Sequence, residues 1–183
     1  NKKDTFPKKR LLILGGYGNT GRQIVGLLLR FVPNLHIIVA GRSQEKAEAF
    51  VKEVDNAQAS ASAVDLKNAF QDVDLVLVAS STAAHTKLVA EAALNAGIDY
   101  LDIIYSDTKL KALRSIEEDV NNAGLCFITE CGFHPGLPSA VVRYLAPSFG
   151  RIETANIGSV IKVDWSTLQP ISLETLEEFV EEL

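Results

Sequence analysis

The sequence predicts a doubly wound α/β domain built on a parallel six-stranded sheet. Three observations predict it. Short apolar runs alternate with helical patterns through most of the chain. The runs are continuous rather than alternating, as in strands covered on both faces. The first run, Leu11-Leu12-Ile13-Leu14, leads straight into Gly15-Gly16-Tyr17-Gly18-Asn19-Thr20-Gly21 and then a helical pattern.

In that loop Gly16, Gly18 and Gly21 spell G-x-G-x-x-G between a strand and a helix, the context that gives the pattern meaning. Gly16 is expected to make the tight turn, Gly18 to let a pyrophosphate approach the backbone, and Gly21 to let helix pack on strand. The helix, Thr20 to about Phe31, would offer the phosphates free N–H groups and a positive dipole end. A dinucleotide-binding (Rossmann) domain with strand order 3-2-1-4-5-6 follows.

The remaining elements read in order. Leu35 to Ala40 is a second strand after the Pro33-Asn34 turn, and Gly41 ends it. Ser43 is an N-cap for a helix from Gln44 to Val54. Gln58 to Val64 is a weaker third strand ending at Asp65, with a short helix around Lys67–Gln71. Asp74 to Ala79 is the strongest strand; Ser80-Ser81-Thr82 is a polar loop; Ala83 to Ala96 is a helix closed by Gly97. Ile98–Ile103 is a fifth strand, Asp107 to Ala123 a helix closed by Gly124, and Leu125–Thr129 a sixth strand. Glu130 to Gly136 is a Gly/Pro-rich loop, and Leu137–Leu145 a further helix.

The pattern then changes. Arg151–Asp164 reads as a partly alternating strand, and Ser172–Leu183 as an acidic amphipathic helix. The expected organisation is a disordered lead-in over residues 1–9, a nucleotide-binding domain over 10–148, and the start of a truncated substrate or dimerisation domain over 149–183.

Bulk properties narrow the function. Apolar residues are 47% and charged residues 22%, an ordinary globular composition. The net charge of −5 lacks the basic footprint of nucleic-acid binding. No apolar run approaches the roughly 18 residues of a membrane span. Cys126 and Cys131 form no disulfide framework, which fits a reducing cytoplasm.

An NAD site usually places Asp or Glu at the end of the second strand, on the ribose 2′-hydroxyl. Here that position reads Gly41-Arg42-Ser43. Arg42 is placed to meet a 2′-phosphate bidentately and Ser43 to add a hydroxyl, so NADP is the expected cofactor. Arg42 is otherwise a solvated residue at a helix start. Asp65 approaches the adenine edge or caps the next helix.

Three stretches point to one family: the loop Gly15–Gly21, the segment Ala96-Gly97-Ile98-Asp99-Tyr100-Leu101-Asp102, and the loop Cys131-Gly132-Phe133-His134-Pro135-Gly136. The chain resembles the saccharopine dehydrogenase (glutamate-forming reductase) and carboxynorspermidine dehydrogenase group over roughly Leu11 to Leu145. The resemblance implies an NADP-linked oxidoreductase acting on the C–N bond of a secondary-amine amino acid, through an imine. The family usually has Asp where this chain has His134, which leaves the substrate open.

Ligands of this fold lie at the carboxyl ends of the strands. Ser80 and Ser81 would line the nicotinamide side or cap a helix. Asp102 and Tyr105 would orient an amine or relay a proton, or Asp102 would bond nearby backbone amides. His134 is the acid/base candidate. Cys131, beside Gly132, is expected to pack near the nicotinamide rather than act as a nucleophile. His85 is expected at the surface and His36 as a satisfied strand residue. No metal is expected; an amino-acid-type substrate and a possible homodimer are.

Overall fold

A computed structural model describes residues 9–63, 70–80, 83–133, 136–158, 160 and 162. The expectations for residues 1–8, Asp65, the helix around Lys67, Ser81, His134 and the helix Ser172–Leu183 lie outside the described residues.

Strands β1 (Lys9–Leu14), β2 (Leu35–Gly41), β3 (Ala59–Ala63), β4 (Leu75–Val78), β5 (Asp99–Asp102) and β6 (Phe127–Ile128) form one sheet in the order β3-β2-β1-β4-β5-β6. Every pairing is parallel. Helices α1 (Asn19–Phe31), α2 (Gln44–Val54), α3 (Thr86–Ala96), α4 (Asp107–Arg114), α5 (Glu117–Asn122) and α6 (Leu137–Leu145) complete the described architecture. This is the expected doubly wound fold, with its switch point between β1 and β4, where crossovers reverse direction.

Side-chain alternation along each strand builds two cores. Leu11 and Ile13 of β1 sit in register with Ile37 and Val39 of β2 and pack with Val25 of α1 and Phe50 of α2. Leu12 and Leu14 face the other way, joining Val76, Val78 and Tyr100 against α3, α4 and α5. Each fully buried aliphatic side chain contributes about 1.5–3 kcal/mol. With both faces of the sheet covered, a one-residue slip would exchange the two cores, so the register is fixed.

Three expectations are corrected. The helix expected over Asp107–Ala123 breaks into α4 and α5 at Ser115-Ile116. Ser115 Oγ donates to the Ala112 carbonyl at 2.7 Å, and Ile116 turns into the core at 6% exposure. A hydroxyl bonding backward competes with the helical ladder. The helix expected from Ala83 begins instead as a 3₁₀ turn, Ala83–His85, before α3. The strand expected from Arg151 is not formed over residues 151–158, which pair with no strand among the described residues.

Candidate functional site: the carboxyl ends of the strands

The loop after β1 supplies the first wall. Its turn is made at Gly15, where φ is +79°, rather than at Gly16 as expected from the motif. A Cβ at Gly15 would lie 2.7 Å from Cβ of Ser80, which places the loop after β4 directly beside it. Gly21 is buried, and a Cβ there would overlap the Gly15 carbonyl oxygen. The helix therefore closes on the loop itself, not on the strand. Gly18 is the N-cap of α1 and brings no side-chain cap; the first turn carries no acid. Asn19 and Thr20 are exposed there. The first N–H groups of α1 thus meet no carboxylate from their own turn, a setting that suits an anion.

The end of β2 supplies the second wall. Ser43 caps α2 as expected, its Oγ accepting from the Lys46 N–H at 3.3 Å. Arg42 is exposed and makes no hydrogen bond or ion pair among the described residues. Gly41 lies under the ring of Tyr17, whose hydroxyl accepts from the Ser43 N–H at 3.0 Å. The loops after β1 and β2 are thereby joined. The residues here fit NADP: an uncommitted guanidinium, no acid in residues 40–43, and an open glycine at the helix start.

Ser80 follows β4 and lies beside the glycine loop. It does not cap α3, because His85 holds the N-cap position without a side-chain bond. His85 is exposed, and His36 meets the Ser60 hydroxyl of β3 at 2.9 Å.

The far wall, at the ends of β5 and β6, is built differently. Asp102 has no exposed surface. It accepts from the Tyr100 hydroxyl at 2.9 Å, from the Thr129 hydroxyl at 2.9 Å and from the Glu130 N–H at 3.2 Å. The ammonium of Lys109, also wholly buried, stands 4.0 Å from its Oδ1. The carboxylate faces the interior toward Lys109 of α4 and has no surface of its own from which to meet a ligand. Burial and the Asp102 charge push the Tyr100 phenol well above its ordinary range, keeping it a proton donor to Asp102.

Asp102 carries the Cys131–Gly136 loop on its backbone as well. Its carbonyl accepts from the Cys131 N–H at 3.0 Å. Gly132 pairs with Gly136 as a bridge, and a Cβ at Gly132 would overlap the Ile103 carbonyl oxygen. Cys131 is exposed; desolvation of its sulfur and the Asp102 carboxylate raise its pKa. A thiol held in its protonated form is a poor nucleophile. Tyr105 is 38% exposed, and its hydroxyl donates to Asp107 at 3.2 Å.

The structure therefore brings Gly15–Gly21, Gly41–Ser43 and Ser80 together at one end, and Asp102, Cys131 and Gly132 at the other. Sequence reasoning missed Tyr100, Lys109 and Thr129. A signal for Lys109 existed: it lies four residues before Leu113 on the buried stripe of α4, an unusual place for a cation. Among the described residues no group of three or more His, Cys, Asp and Glu could hold a metal, and no helix is long and apolar enough to cross a membrane.

Comparisons with known proteins agree with this geometry. Among solved structures, the WlbA dehydrogenase from Chromobacterium violaceum, in complex with NADH and UDP-GlcNAcA, is 16% identical, with 80% of this chain and 42% of that one covered at a TM-score of 0.61. An NAD-binding oxidoreductase from Klebsiella pneumoniae is 15% identical, with 78% and 39% covered and a TM-score of 0.58. The biliverdin reductase of Synechocystis sp., in complex with biliverdin and NADP+, is 16% identical, with 77% and 43% covered and a TM-score of 0.55. The likeness is one of fold, and the chain spans about two fifths of the length of these proteins. No curated protein matches it. Residues 11–127 match the family described as the saccharopine dehydrogenase NADP binding domain. The chain belongs to that family, and its cofactor is NADP.

Proposed function

We propose that this chain is the cofactor-binding part of an NADP-dependent oxidoreductase that transfers hydride at the carbon of an imine or secondary amine in an amino-acid-type substrate. One observation carries the cofactor half of the reading: Arg42 stands exposed and uncommitted at the end of β2, where an NAD site would carry an acid. The substrate half rests on the family and on the Cys131–Gly136 loop, tied to Asp102 at the end of β5.

The bound cofactor supplies the hydride. The protein binds, orients and excludes water. Gly18 and the α1 N-terminus hold the pyrophosphate. Arg42 and Ser43 hold the 2′-phosphate, and Asp65 meets the adenosine. Ser80, Ser81, Cys131 and Gly132 line the nicotinamide. Asp102 is a positioning residue that fixes the loop bearing His134, while His134 and Tyr105 handle the substrate proton. A homodimer belongs to the same proposal: α6 leaves Leu137, Val141 and Tyr144 exposed, an apolar face that a second copy can cover.

A second reading, NADP binding without turnover, is favoured by the full burial of Asp102, the carboxylate expected to orient an amine, which has no surface of its own to meet one. Two measurements separate the readings. Titration by NADPH fluorescence at micromolar protein is expected to saturate, with NADPH preferred over NADH; absence of binding ends the cofactor reading. NADPH oxidation across a panel of amine and keto-acid pairs is expected to show turnover with at least one pair. Saturable binding with no turnover on the whole panel favours the second reading.

A further inference from the structure

Tyr17 is a donor that the acid-versus-arginine rule does not cover. It belongs to the loop after β1, yet its side chain crosses to the loop after β2. A Cβ at Gly41 would lie 2.5 Å from Cε1 of Tyr17 and 2.6 Å from its hydroxyl oxygen, so only glycine lets the ring lie there. The hydroxyl accepts from the Ser43 N–H at 3.0 Å. The Tyr17 backbone is held too: its carbonyl accepts from Arg22 Nε at 3.0 Å. Arg22 in turn pairs with Glu53 at 2.8 Å and lies 4.4 Å from the centroid of the Phe50 ring. The ring is therefore clamped at its root by α1 and α2 and at its tip by the Ser43 amide.

The chemistry of a phenol gives this clamp a preference. The oxygen carries one proton and two lone pairs. The Ser43 amide takes an acceptor position, and among the described residues nothing accepts the proton. What the hydroxyl offers a ligand is chiefly a donor. A ribose 2′-hydroxyl is best read by a strong acceptor, which is why NAD sites use a carboxylate. A phosphate monoester, with its second ionisation near pH 6, offers acceptor oxygens and wants donors. Ser43 repeats the logic one residue beyond Arg42: its Oγ accepts from the Lys46 N–H, leaving its own proton to give.

We propose that Tyr17 is a specificity-determining residue that donates its phenolic proton to the 2′-phosphate of the cofactor, held in place by the Ser43 amide and by the absence of a side chain at Gly41. The proposal rests on the NADP reading above and adds to Arg42 a neutral donor drawn from the glycine loop itself. Because the phenol itself is neutral, its contact depends less on ionic strength than that of the guanidinium.

The test is Tyr17→Phe in the full chain, which keeps the ring over Gly41 and removes only the hydroxyl. Dissociation constants are measured by fluorescence for NADPH and NADH, and by competition for 2′,5′-ADP and 5′-ADP. The expected result is about tenfold weaker binding of NADPH and 2′,5′-ADP, the size of one hydrogen bond to a charged group. NADH and 5′-ADP are expected to change less than about twofold, the scale of an exposed contact. Gly41→Ala, which displaces the ring but keeps the hydroxyl, is expected to weaken the same two ligands selectively. Thermal unfolding of each variant confirms that folded protein is compared. Equal losses for phosphorylated and unphosphorylated ligands overturn the proposal, as does unchanged NADPH affinity in Tyr17→Phe. A wild-type chain that binds NADPH no better than NADH instead overturns the NADP reading beneath it, before any variant is made.

Discussion

The two ends of the sheet's carboxyl edge are built by opposite means. At the β1/β2 end the groups on offer are backbone amides, an exposed guanidinium and two hydroxyls. They are shaped by glycines whose missing side chains let Gly21 meet Gly15 and Tyr17 meet Gly41. At the β5/β6 end a buried charge, Asp102, gathers Tyr100, Thr129, Glu130 and Lys109 and hangs the Cys131–Gly132 loop from the sheet. On the proposed reading the first end meets the cofactor, a ligand common to a whole class, and can be made of main chain. The second would face the substrate and is held by side chains that could be exchanged. The comparison teaches that one sheet edge can be shaped by absent side chains at one end and by buried side chains at the other.

The largest expected effect lies at the β5/β6 end. Lys109→Met keeps volume but leaves the Asp102 carboxylate buried without its cation, which is expected to cost about 3–5 kcal/mol in urea unfolding. Adding Asp102→Asn to it should recover a large part of that loss, because the penalty belongs to the unpaired charge. A cost under about 1 kcal/mol for Lys109→Met would mean that the ion pair does not organise this end.

The next effect lies at the opposite end and leaves stability alone. Arg42→Asp is expected to weaken NADPH by roughly tenfold to a hundredfold, the range for a charge-assisted contact replaced by a repulsive one, with NADH little changed. Fluorescence titration checks it; equal losses would make Arg42 a surface residue.

A smaller effect concerns Cys131. With its thiol pKa raised by desolvation and by Asp102, the reactive thiolate is scarce at neutral pH. In a Cys126→Ser background, alkylation by iodoacetamide is expected to be slower at pH 8 than for a free thiol and to climb at higher pH. A rate equal to the free thiol's would place Cys131 outside the influence of Asp102.

The smallest expected effect is a control away from both ends. Asp74 accepts from the Arg10 N–H at 2.7 Å and from Lys9 at 2.9 Å, and these contacts lower its pKa. A carboxyl with a lowered folded-state pKa stabilises above its unfolded value and loses that contribution as pH falls through the folded one. The pair is exposed, so Asp74→Asn should cost at most about 1 kcal/mol at pH 7, and less in high salt. Wild type and variant should converge in stability in acid; a constant gap would mean that the ion pair is not the source.

The legible part of the molecule was what local chemistry carries. The helix Gln44–Val54, the helix Leu137–Leu145 and the strand order follow from periodicity, caps and the first motif, and the structure has them as read. The family signature was legible for the same reason, since its glycine spacing is local. What escaped was set by neighbours distant in sequence. The helix over Asp107–Ala123 breaks because Ile116 finds the core, and residues 151–158 pair with no strand among the described residues.

Sequence by itself determined the architecture and the cofactor, because strand burial, helix caps and the glycine spacing act over a few residues. Only the tertiary structure decided that the tight turn falls at Gly15, that Tyr17 spans to Ser43, and that Asp102 faces inward to Lys109 rather than outward to a ligand. Each of those outcomes depends on which strands lie side by side, and parallel neighbours in this sheet are separated by whole helices. A residue's type limits the bonds it can make; the packing of the sheet chooses which of them it makes.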